Sequence, residues 1–187
     1  MSLAHSPVMH QYSRLKTAHA GFLLWFRMGD FYELFGDDAV AAAEVLGITL
    51  TKRRTAKDGD EGIPMCGVPY HAAEGYVAKC LQHGFKVALA EQTETPEEAK
   101  KARGSGALVN REVVRLYTPG TLTEDTLLEA GRPTYVAAVA GDEGEGPAWR
   151  GVLAWLELST GEVGYKYVAA STLGAAVAAL APGEVVV

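Results

Sequence analysis

Two hydrophobic periodicities alternate along the first 120 residues, one typical of helices and the other typical of strands. Apolar residues recur at helical spacing before Gly21, which predicts a helix over 7–20 that ends at a glycine. Aromatic and aliphatic residues then fill 22–27, as expected of a strand. The same reasoning predicts further helices at 37–46 and about 71–83, and further strands at 48–53, 85–91 and 112–117. Strands that alternate with helices indicate an α/β fold.

Glycine, proline and polar residues interrupt these elements. Gly29 and Asp30 end the first strand before the short aromatic segment Phe31–Phe35. Pro64 and Pro69 bracket a short stiff segment, because proline fixes its own φ and has no backbone N–H to donate. Polar composition predicts loops at 54–62 and 100–106.

A second unit is predicted after a polar segment at 120–133, which has the composition of an interdomain linker. Further predicted elements are strands at 135–140, 151–158, 162–168 and 184–187, and an alanine-rich helix at 171–180. We therefore predict a first domain at 1–119 and a second domain at 134–187. The apolar residues 185–187 have no predicted neighbouring strand, which indicates that the second domain is truncated here.

Composition indicates the cellular compartment and argues against a metal site. Hydrophobic residues make up 48% and charged residues 21% of the 187 residues, the balance of a soluble globular protein, so we expect a cytoplasmic protein that does not contact a membrane. Cys66 and Cys80 lack the spacing and partners of a zinc site and are expected to be reduced and buried. The histidines match no metal-ligand motif, so we expect no catalytic metal.

The formal net charge of −6 argues at first against a nucleic-acid partner, because DNA-binding surfaces carry excess Lys and Arg. The acidity, however, lies in the second part of the chain. Residues 1–120 contain 14 basic and 14 acidic side chains, whereas residues 121–187 contain 3 and 9. Basic side chains in the first part are therefore numerous enough for a few phosphate contacts.

The segment Phe31–Phe35 holds the candidate chemistry. In an extended chain Phe31 and Glu33 share one face, while Tyr32 points to a core that Leu34 and Phe35 help to close. A phenyl ring beside a carboxylate suits a wedge that stacks on a flat base and then forms a hydrogen bond to it. Taken alone, the same pattern is more often just a half-buried strand, and the wider sequence is needed to favour the wedge.

Four segments together carry a resemblance to a known family. They are 22–35 (FLLWFRMGDFYELF), 48–53 (ITLTKR), 63–72 (IPMCGVPYHA) and 117–121 (YTPGT). In this order and spacing they resemble the amino-terminal part of the MutS family of DNA mismatch-repair proteins, and the resemblance runs from about Pro7 to the end of the chain. It implies an α/β fold, with a mixed-sheet mismatch-recognition domain followed by the first part of a ribonuclease-H-like α/β connector domain.

The resemblance implies that Phe31 enters the minor groove and stacks on one base of a mispair, and that Glu33 contacts that base. A mispair is easily unstacked, so a wedge that demands deformation binds it better than paired duplex. A carboxylate beside the phosphates is repelled and partly desolvated, and both effects favour its protonated form. Glu33 is therefore expected to act as a hydrogen-bond donor.

Four more residues are candidate groove or backbone contacts. The resemblance places Met65 in a second minor-groove element and Arg111 at a basic position near the same groove. Met65 fits core packing equally well, because methionine is a common gap filler. Lys52 and Arg53, at the end of a strand, fit either phosphate contacts or an ordinary charged loop entry.

No Gly-x-x-x-x-Gly-Lys-Ser/Thr phosphate-binding loop occurs in the sequence, so we expect no cofactor and no ATP hydrolysis in this chain. For a full-length member the resemblance implies ATP and Mg²⁺, a homodimer, and contacts with downstream mismatch-repair proteins. Mismatched double-stranded DNA is the partner expected of the present chain.

Two alternatives belong to other functional classes. A nuclease built on the ribonuclease-H-like half would need clustered carboxylates to hold metal ions, and the candidates there are Glu157 and Glu162 on strands and Asp142 and Glu143 in a loop. The other alternative is a protein-interaction fragment without independent DNA binding, in which the acidic second half docks onto another domain or repair factor.

Overall fold

The structure is a computed structural model that describes residues 6–53, 62–122, 133–142 and 146–187. The chain divides into two compact units, Met1–Leu116 and Tyr117–Val187. The division falls a few residues before the predicted domain end at residue 119. Most of the predicted linker at 120–133 and nearly all of the predicted loop at 54–62 lie outside the described residues.

The first unit is a sheet with helices packed against it. Its elements are α1 (Pro7–Ala18), β1 (Phe22–Met28), β2 (Phe31–Phe35), α2 (Asp37–Leu46), β3 (Thr51–Arg53), β4 (Ile63–Pro69), α3 (Ala73–Gln82), β5 (Lys86–Gln92), α4 (Pro96–Arg103) and β6 (Arg111–Tyr117). The strands that the structure describes are ordered β3-β4-β2-β1-β5-β6. Strand β1 is antiparallel to β2 and parallel to β5, so the predicted mixed sheet is confirmed.

Helix α1 covers one face of this sheet. Its residues Met9, Tyr12 and Leu15 form a buried cluster with side chains that include Phe26 of β1 and Phe35 of β2. The rings of Tyr12 and Phe35 meet edge to face with their centroids 5.0 Å apart. This geometry is favourable for aromatic pairs and adds to the free energy of burial. Glu33 lies directly opposite Phe26 of this cluster, at the border of the core.

Helices α2 and α3 pack against the strands from the opposite face, where Tyr32 and Leu34 are buried. Asp38 in the first turn of α2 joins α2 to α1 and the sheet. Its carboxylate accepts hydrogen bonds from the Leu24 N–H at 2.9 Å and from Lys16 Nζ at 2.8 Å. Gly47 directly follows the predicted helix at 37–46 and ends α2 in the left-handed conformation, with φ at 66°.

Two local predictions in this unit are wrong. The segment between Pro64 and Pro69 is not merely stiff but pairs as strand β4, with β2 on one side and β3 on the other. Its prolines lie near the two strand ends, where fewer ladder hydrogen bonds are lost.

The second wrong prediction is the loop at 100–106, because residues up to Arg103 continue helix α4. Pro96 occupies the first turn, and Thr95 and Glu98 form a reciprocal capping box. Lys100 and Arg103 lie in the last turn, where positive charge is favourable. The cluster of basic residues thus stabilises a helix end rather than forming a loop.

The second unit contains β7 (Tyr135–Gly141), β8 (Arg150–Glu157), β9 (Glu162–Ala169), α5 (Ala170–Leu180) and β10 (Glu184–Val186), as predicted in order. Its described strands form a sheet in the order β10-β7-β8-β9. Strand β10 pairs in parallel with β7, so the prediction that residues 185–187 have no neighbour is wrong. Helix α5 returns the chain to the end of the sheet from which a parallel strand can start.

Helix α5 covers only one face of this second sheet. Ala137, Leu153 and Val168 are buried beneath Ala176 of the helix. On β9 the alternate residues Val163, Tyr165 and Tyr167, which face the other way, are 72%, 66% and 80% exposed. These three side chains form an exposed apolar strip along the edge of the sheet, which we call the β9 strip.

We expect the β9 strip to make this chain self-associate at high concentration, because contiguous exposed apolar patches on soluble proteins promote association. Replacing both Tyr165 and Tyr167 with lysine is expected to lower the weight-average mass in sedimentation velocity. A control with lysine at the exposed positions Ser171 and Ala178 of α5 adds the same charge elsewhere. Equal association of both variants would contradict the role of the strip.

Candidate nucleic-acid interface

The candidate site lies on the hairpin formed by β1 and β2. Gly29 has a φ of 60°, which allows the tight turn between the strands. Phe31 then pairs with Met28, and Glu33 pairs with Phe26. The predicted alternation is confirmed: Tyr32 is buried, whereas Phe31 is 46% exposed. Phe31 is thus a large apolar ring presented to solvent at the start of a strand whose other apolar residues are buried.

Side chains on the far face of the hairpin hold its turn in place. The Nε atom of Arg27 donates to the Gly29 carbonyl at 2.5 Å, and the Tyr70 N–H donates to the Asp30 carbonyl at 3.0 Å. The Arg27 guanidinium lies 3.9 Å from the centre of the Tyr70 ring. A carboxylate at Glu91 pairs with Arg27. The backbone that carries Phe31 is therefore braced from behind.

Sequence reasoning missed this bracing cluster. Hydrophobic spacing predicted a helix from about residue 71, next to Tyr70, and gave no role to Tyr70, Arg27 or Glu91. The available signal was the antiparallel register, which places Arg27 directly opposite Tyr32. Two-residue spacing around a glycine turn fixes that register, but nothing in the sequence places Glu91 beside it.

Glu33 is not a free carboxylate. Its Oε2 atom lies 3.3 Å from Nη1 of Arg53, and both side chains are about three-quarters buried. Burial raises the pKa of Glu33, while the positive charges of Arg53 and Arg111 lower it, and the net direction is upward. The carboxyl group is consequently easier to protonate than an exposed glutamate.

Arg111, a predicted groove contact, lies in the interior with only 5% of its surface exposed. Its Nη1 donates to Gln11 Oε1 at 3.0 Å and to the Val109 carbonyl at 2.9 Å, and its Nε donates to the Arg27 carbonyl at 2.5 Å. The guanidinium also lies 4.8 Å from the centre of the Phe26 ring. In this conformation Arg111 is a structural residue behind the site.

The remaining predicted contacts are divided between the two faces of the sheet. Met65 is half-buried and packs against the cluster around Phe26 and Phe35, which favours the core-packing alternative. Arg53 lies on that same face. Lys52, its neighbour in β3, is exposed and alternates to the opposite face. The structure therefore groups Phe31, Glu33, Arg53 and Met65, and separates Lys52 from them.

Both cysteines are free and buried, which confirms the prediction from their spacing. Burial raises the pKa of the Cys66 thiol to about 11 and that of the Cys80 thiol to about 12. Both thiols are therefore protonated and unreactive near neutral pH. Within the described ranges, no three His, Cys, Asp or Glu side chains come close enough to hold a metal ion. The described residues also form no helix long and apolar enough to cross a membrane.

Two of the carboxylates named for the nuclease alternative, Glu157 and Glu162, have local roles. Glu157 accepts hydrogen bonds from Ser159 Oγ at 2.8 Å and from the backbone N–H and Oγ1 of Thr160, both at 2.6 Å. These bonds hold the pKa of Glu157 at about 2. Glu162 lies opposite it in the hairpin of β8 and β9 and accepts from the Tyr135 hydroxyl. Glu143 lies outside the described residues.

The fold and the site define a small α/β domain that presents one exposed ring on a braced hairpin. Comparison with known proteins assigns this domain to a family. The family model for MutS domain I matches residues 6–126. This chain is 54% identical, over 97% of its length, to a protein of Ruegeria pomeroyi named DNA mismatch repair protein MutS. It is also 54% identical, over 96% of its length, to a protein of the same name from Dinoroseobacter shibae. The chain belongs to the MutS family.

The match covers only part of those relatives. This chain spans 20% of the length of the Ruegeria pomeroyi protein and 20% of the Dinoroseobacter shibae protein. The second unit, with its mixed sheet and one covering helix, is consistent with the predicted start of a connector domain.

Proposed function

We propose that this chain recognises mispaired and unpaired bases in duplex DNA as part of a MutS-type mismatch-repair protein. Phe31 enters the minor groove and stacks on one base of the mispair, and Glu33 contacts that base. The observation that supports this proposal is the exposed ring of Phe31 on a braced hairpin, beside a carboxyl group whose pKa is raised. Membership of the family and the match to domain I support the mismatch-repair role.

The physical basis is selective deformation. Inserting a ring between base steps costs a few kcal/mol of lost stacking, and a mispair lowers that cost. Base stacking on an aromatic side chain contributes about 1–3 kcal/mol. Recognition through deformability needs no contact with particular base edges, so one wedge can accept many mispairs and small loops.

Glu33 tests the hydrogen-bond part of this proposal. We expect Glu33→Gln to keep or increase affinity for a G·T duplex and to reduce its preference over the paired duplex. The glutamine amide carries no charge for the phosphates to repel and can still donate a hydrogen bond, so affinity is kept or increased. The amide also donates in the complex with paired duplex, where the carboxyl group would stay ionised, so the preference for the mispair falls. Fluorescence anisotropy titrations at low ionic strength, with mispaired and paired duplexes of one sequence, measure both quantities.

Glu74→Gln is the matched control, because it makes the same charge change at an exposed position of α3. It is expected to leave the preference unchanged. A loss of binding in Glu33→Gln as severe as in Phe31→Ala would contradict the donor role of Glu33.

The rest of the proposed function concerns the longer protein. We propose that this chain is not itself an enzyme and needs no cofactor, since its sequence contains no phosphate-binding loop. ATP and Mg²⁺, homodimer formation and downstream repair partners would belong to parts of a full-length, cytoplasmic member beyond this chain.

The β9 strip favours one alternative, a protein-interaction fragment without independent DNA binding. Three exposed apolar side chains on one strand are a surface that suits a protein partner. This alternative predicts that neither duplex binds at low ionic strength, whereas recognition by the first unit predicts a preference that survives lysine at Tyr165 and Tyr167.

A further inference from the structure

Arg53 and Glu33 form an ion pair inside the candidate site. The Arg53 Nη1 and Glu33 Oε2 atoms are 3.3 Å apart. The Arg53 side chain is 28% exposed and the Glu33 side chain is 21% exposed. An ion pair that is largely shielded from water is screened less by salt than a surface pair. It therefore influences where the carboxylate points before any DNA is present.

The strand register shows the direction of this influence. On β4, Phe31 is opposite Pro69 and Glu33 is opposite Gly67, while Arg53 is opposite Ile63 from the other side. Arg53 thus lies on the side of Glu33 that is remote from Phe31. Its guanidinium reaches back over the ring of Phe35, 5.5 Å from the ring centre. The ion pair draws the carboxylate away from Phe31.

Gly67 of β4 lies next to the stem of the Glu33 side chain. A Cβ atom at Gly67 would lie 3.7 Å from Cγ of Glu33 and 3.2 Å from the Tyr32 carbonyl oxygen. The first distance is an ordinary van der Waals contact, whereas the second is tighter than most Cβ contacts. The Glu33 stem therefore packs directly over Gly67 of β4.

The other charged groups near Glu33 are fixed. Arg111 acts on Glu33 through its charge, but its Nε and Nη1 atoms donate to neutral acceptors in the interior. Arg27 alternates to the opposite face of the hairpin, where it pairs with Glu91. Among the described residues on the elements around Glu33, Arg53 is the cation that combines direct contact with partial exposure. It is the one placed to exchange partners.

We infer that Arg53 is the positioning residue for Glu33: in the free domain it holds the carboxylate ionised and turned away from Phe31, and Glu33 reaches a base beside Phe31 only when this ion pair opens and the guanidinium passes to a DNA phosphate. The second half of this inference rests on the proposed function. The first half concerns the free chain alone.

Opening the pair changes the chemistry of Glu33. Burial, which favours the neutral carboxyl group, is then opposed only by Arg111 at longer range, and the phosphates add repulsion. The carboxyl group takes up a proton and becomes a donor. Arg53 therefore links docking on the phosphate backbone to the moment at which Glu33 can form a hydrogen bond to a base.

The free chain provides the first test, without DNA. Carbon-detected NMR titration of the Glu33 carboxyl group gives its midpoint in the parent chain and in Arg53→Gln, Arg53→Lys and Lys52→Gln. We expect the midpoint to move to higher pH in Arg53→Gln and to move less in Arg53→Lys, which keeps the charge. Lys52→Gln removes the neighbouring charge from the other face and is expected to leave the midpoint in place. Equal midpoints in Arg53→Gln and Lys52→Gln would overturn the inference.

DNA binding provides the second test, through a double-mutant cycle with Glu33→Gln. In the parent chain, Arg53→Gln loses a phosphate contact but no longer has to open an ion pair, so the two effects partly cancel. In the Glu33→Gln background only the loss of the phosphate contact remains. We therefore expect Arg53→Gln to lower DNA affinity by a factor about two- to fivefold larger there than in the parent chain, as for a partly exposed ion pair.

The salt dependence gives an independent measure of the same step. Arg53→Gln is expected to reduce the slope of log K against log salt by about 1. An unchanged slope together with additive effects would mean that Arg53 stays on Glu33 in the complex, and would overturn the exchange. Absence of DNA binding in every variant would contradict the proposed function, whereas the NMR midpoints would still decide whether Arg53 positions Glu33.

Discussion

Replacing Phe31 with alanine is expected to abolish the preference for a mispaired duplex and to lower the stability of the domain by only about 1 kcal/mol. The lost base stacking, about 1–3 kcal/mol, corresponds to a fall of roughly 5- to 150-fold in affinity for the mispair. Affinity for paired duplex, which depends on phosphate contacts, is expected to change little. Phe31 is 46% exposed in the free protein, so its truncation costs only about half of what is lost when a fully buried phenylalanine is truncated.

Titration with matched mispaired and paired duplexes measures this loss, and urea unfolding measures stability. Tyr167→Ala is the control, because it removes an exposed ring from the second unit. Phe31→Trp is expected to retain the preference, since it keeps a stacking surface. A Phe31→Ala variant with an unchanged preference would show that the ring is not the wedge.

Replacing Arg111 with methionine is expected to lower the free energy of unfolding by roughly 2–4 kcal/mol, because the loss of a buried charge leaves its partners unsatisfied. Methionine fills much of the volume of the arginine stem but cannot donate to Gln11 Oε1 or to the carbonyls of Val109 and Arg27. Glu33 also loses one of the two positive charges that lower its pKa. The midpoint of urea unfolding by circular dichroism measures the effect.

Arg14→Met is the matched control, because Arg14 is exposed on α1. It is expected to leave the urea midpoint within experimental error. If Arg111→Met instead weakened DNA binding and left the urea midpoint unchanged, Arg111 would act at the DNA and not in the interior. That result would support the groove contact predicted from the sequence.

Sequence patterns predicted most elements because local signals at their ends agree with hydrophobic spacing. Gly47 ends α2 in the conformation that glycine favours, and the Phe31–Phe35 alternation follows from strand geometry alone. Helix α4 was missed although Thr95 and Glu98 form a capping box, because its composition is polar throughout and gives little hydrophobic periodicity. Strand β4 was not predicted because prolines at its ends obscured its pairing on both sides.

The candidate site was predictable only in part, for a physical reason. Phe31 and Glu33 are two residues apart, so their shared face is a local property. The partners of Glu33 come from β3 and, at longer range, β6, and those of Arg111 from α1, β1 and the backbone at Val109. Such contacts depend on how distant strands assemble. Spacing alone therefore could not show that Arg111 is buried or that Arg53 holds Glu33.

Photocrosslinking of this chain to a duplex with 5-iodouracil at a G·T mispair tests the central claim most directly, because it captures complexes too weak for titration. The proposal predicts an adduct on or beside Phe31 that forms with the mispaired duplex, is much weaker with the paired duplex, and is lost in Phe31→Ala. Adducts of equal yield on both duplexes, or adducts only at residues away from the β1–β2 hairpin, would contradict recognition of the mispair by Phe31.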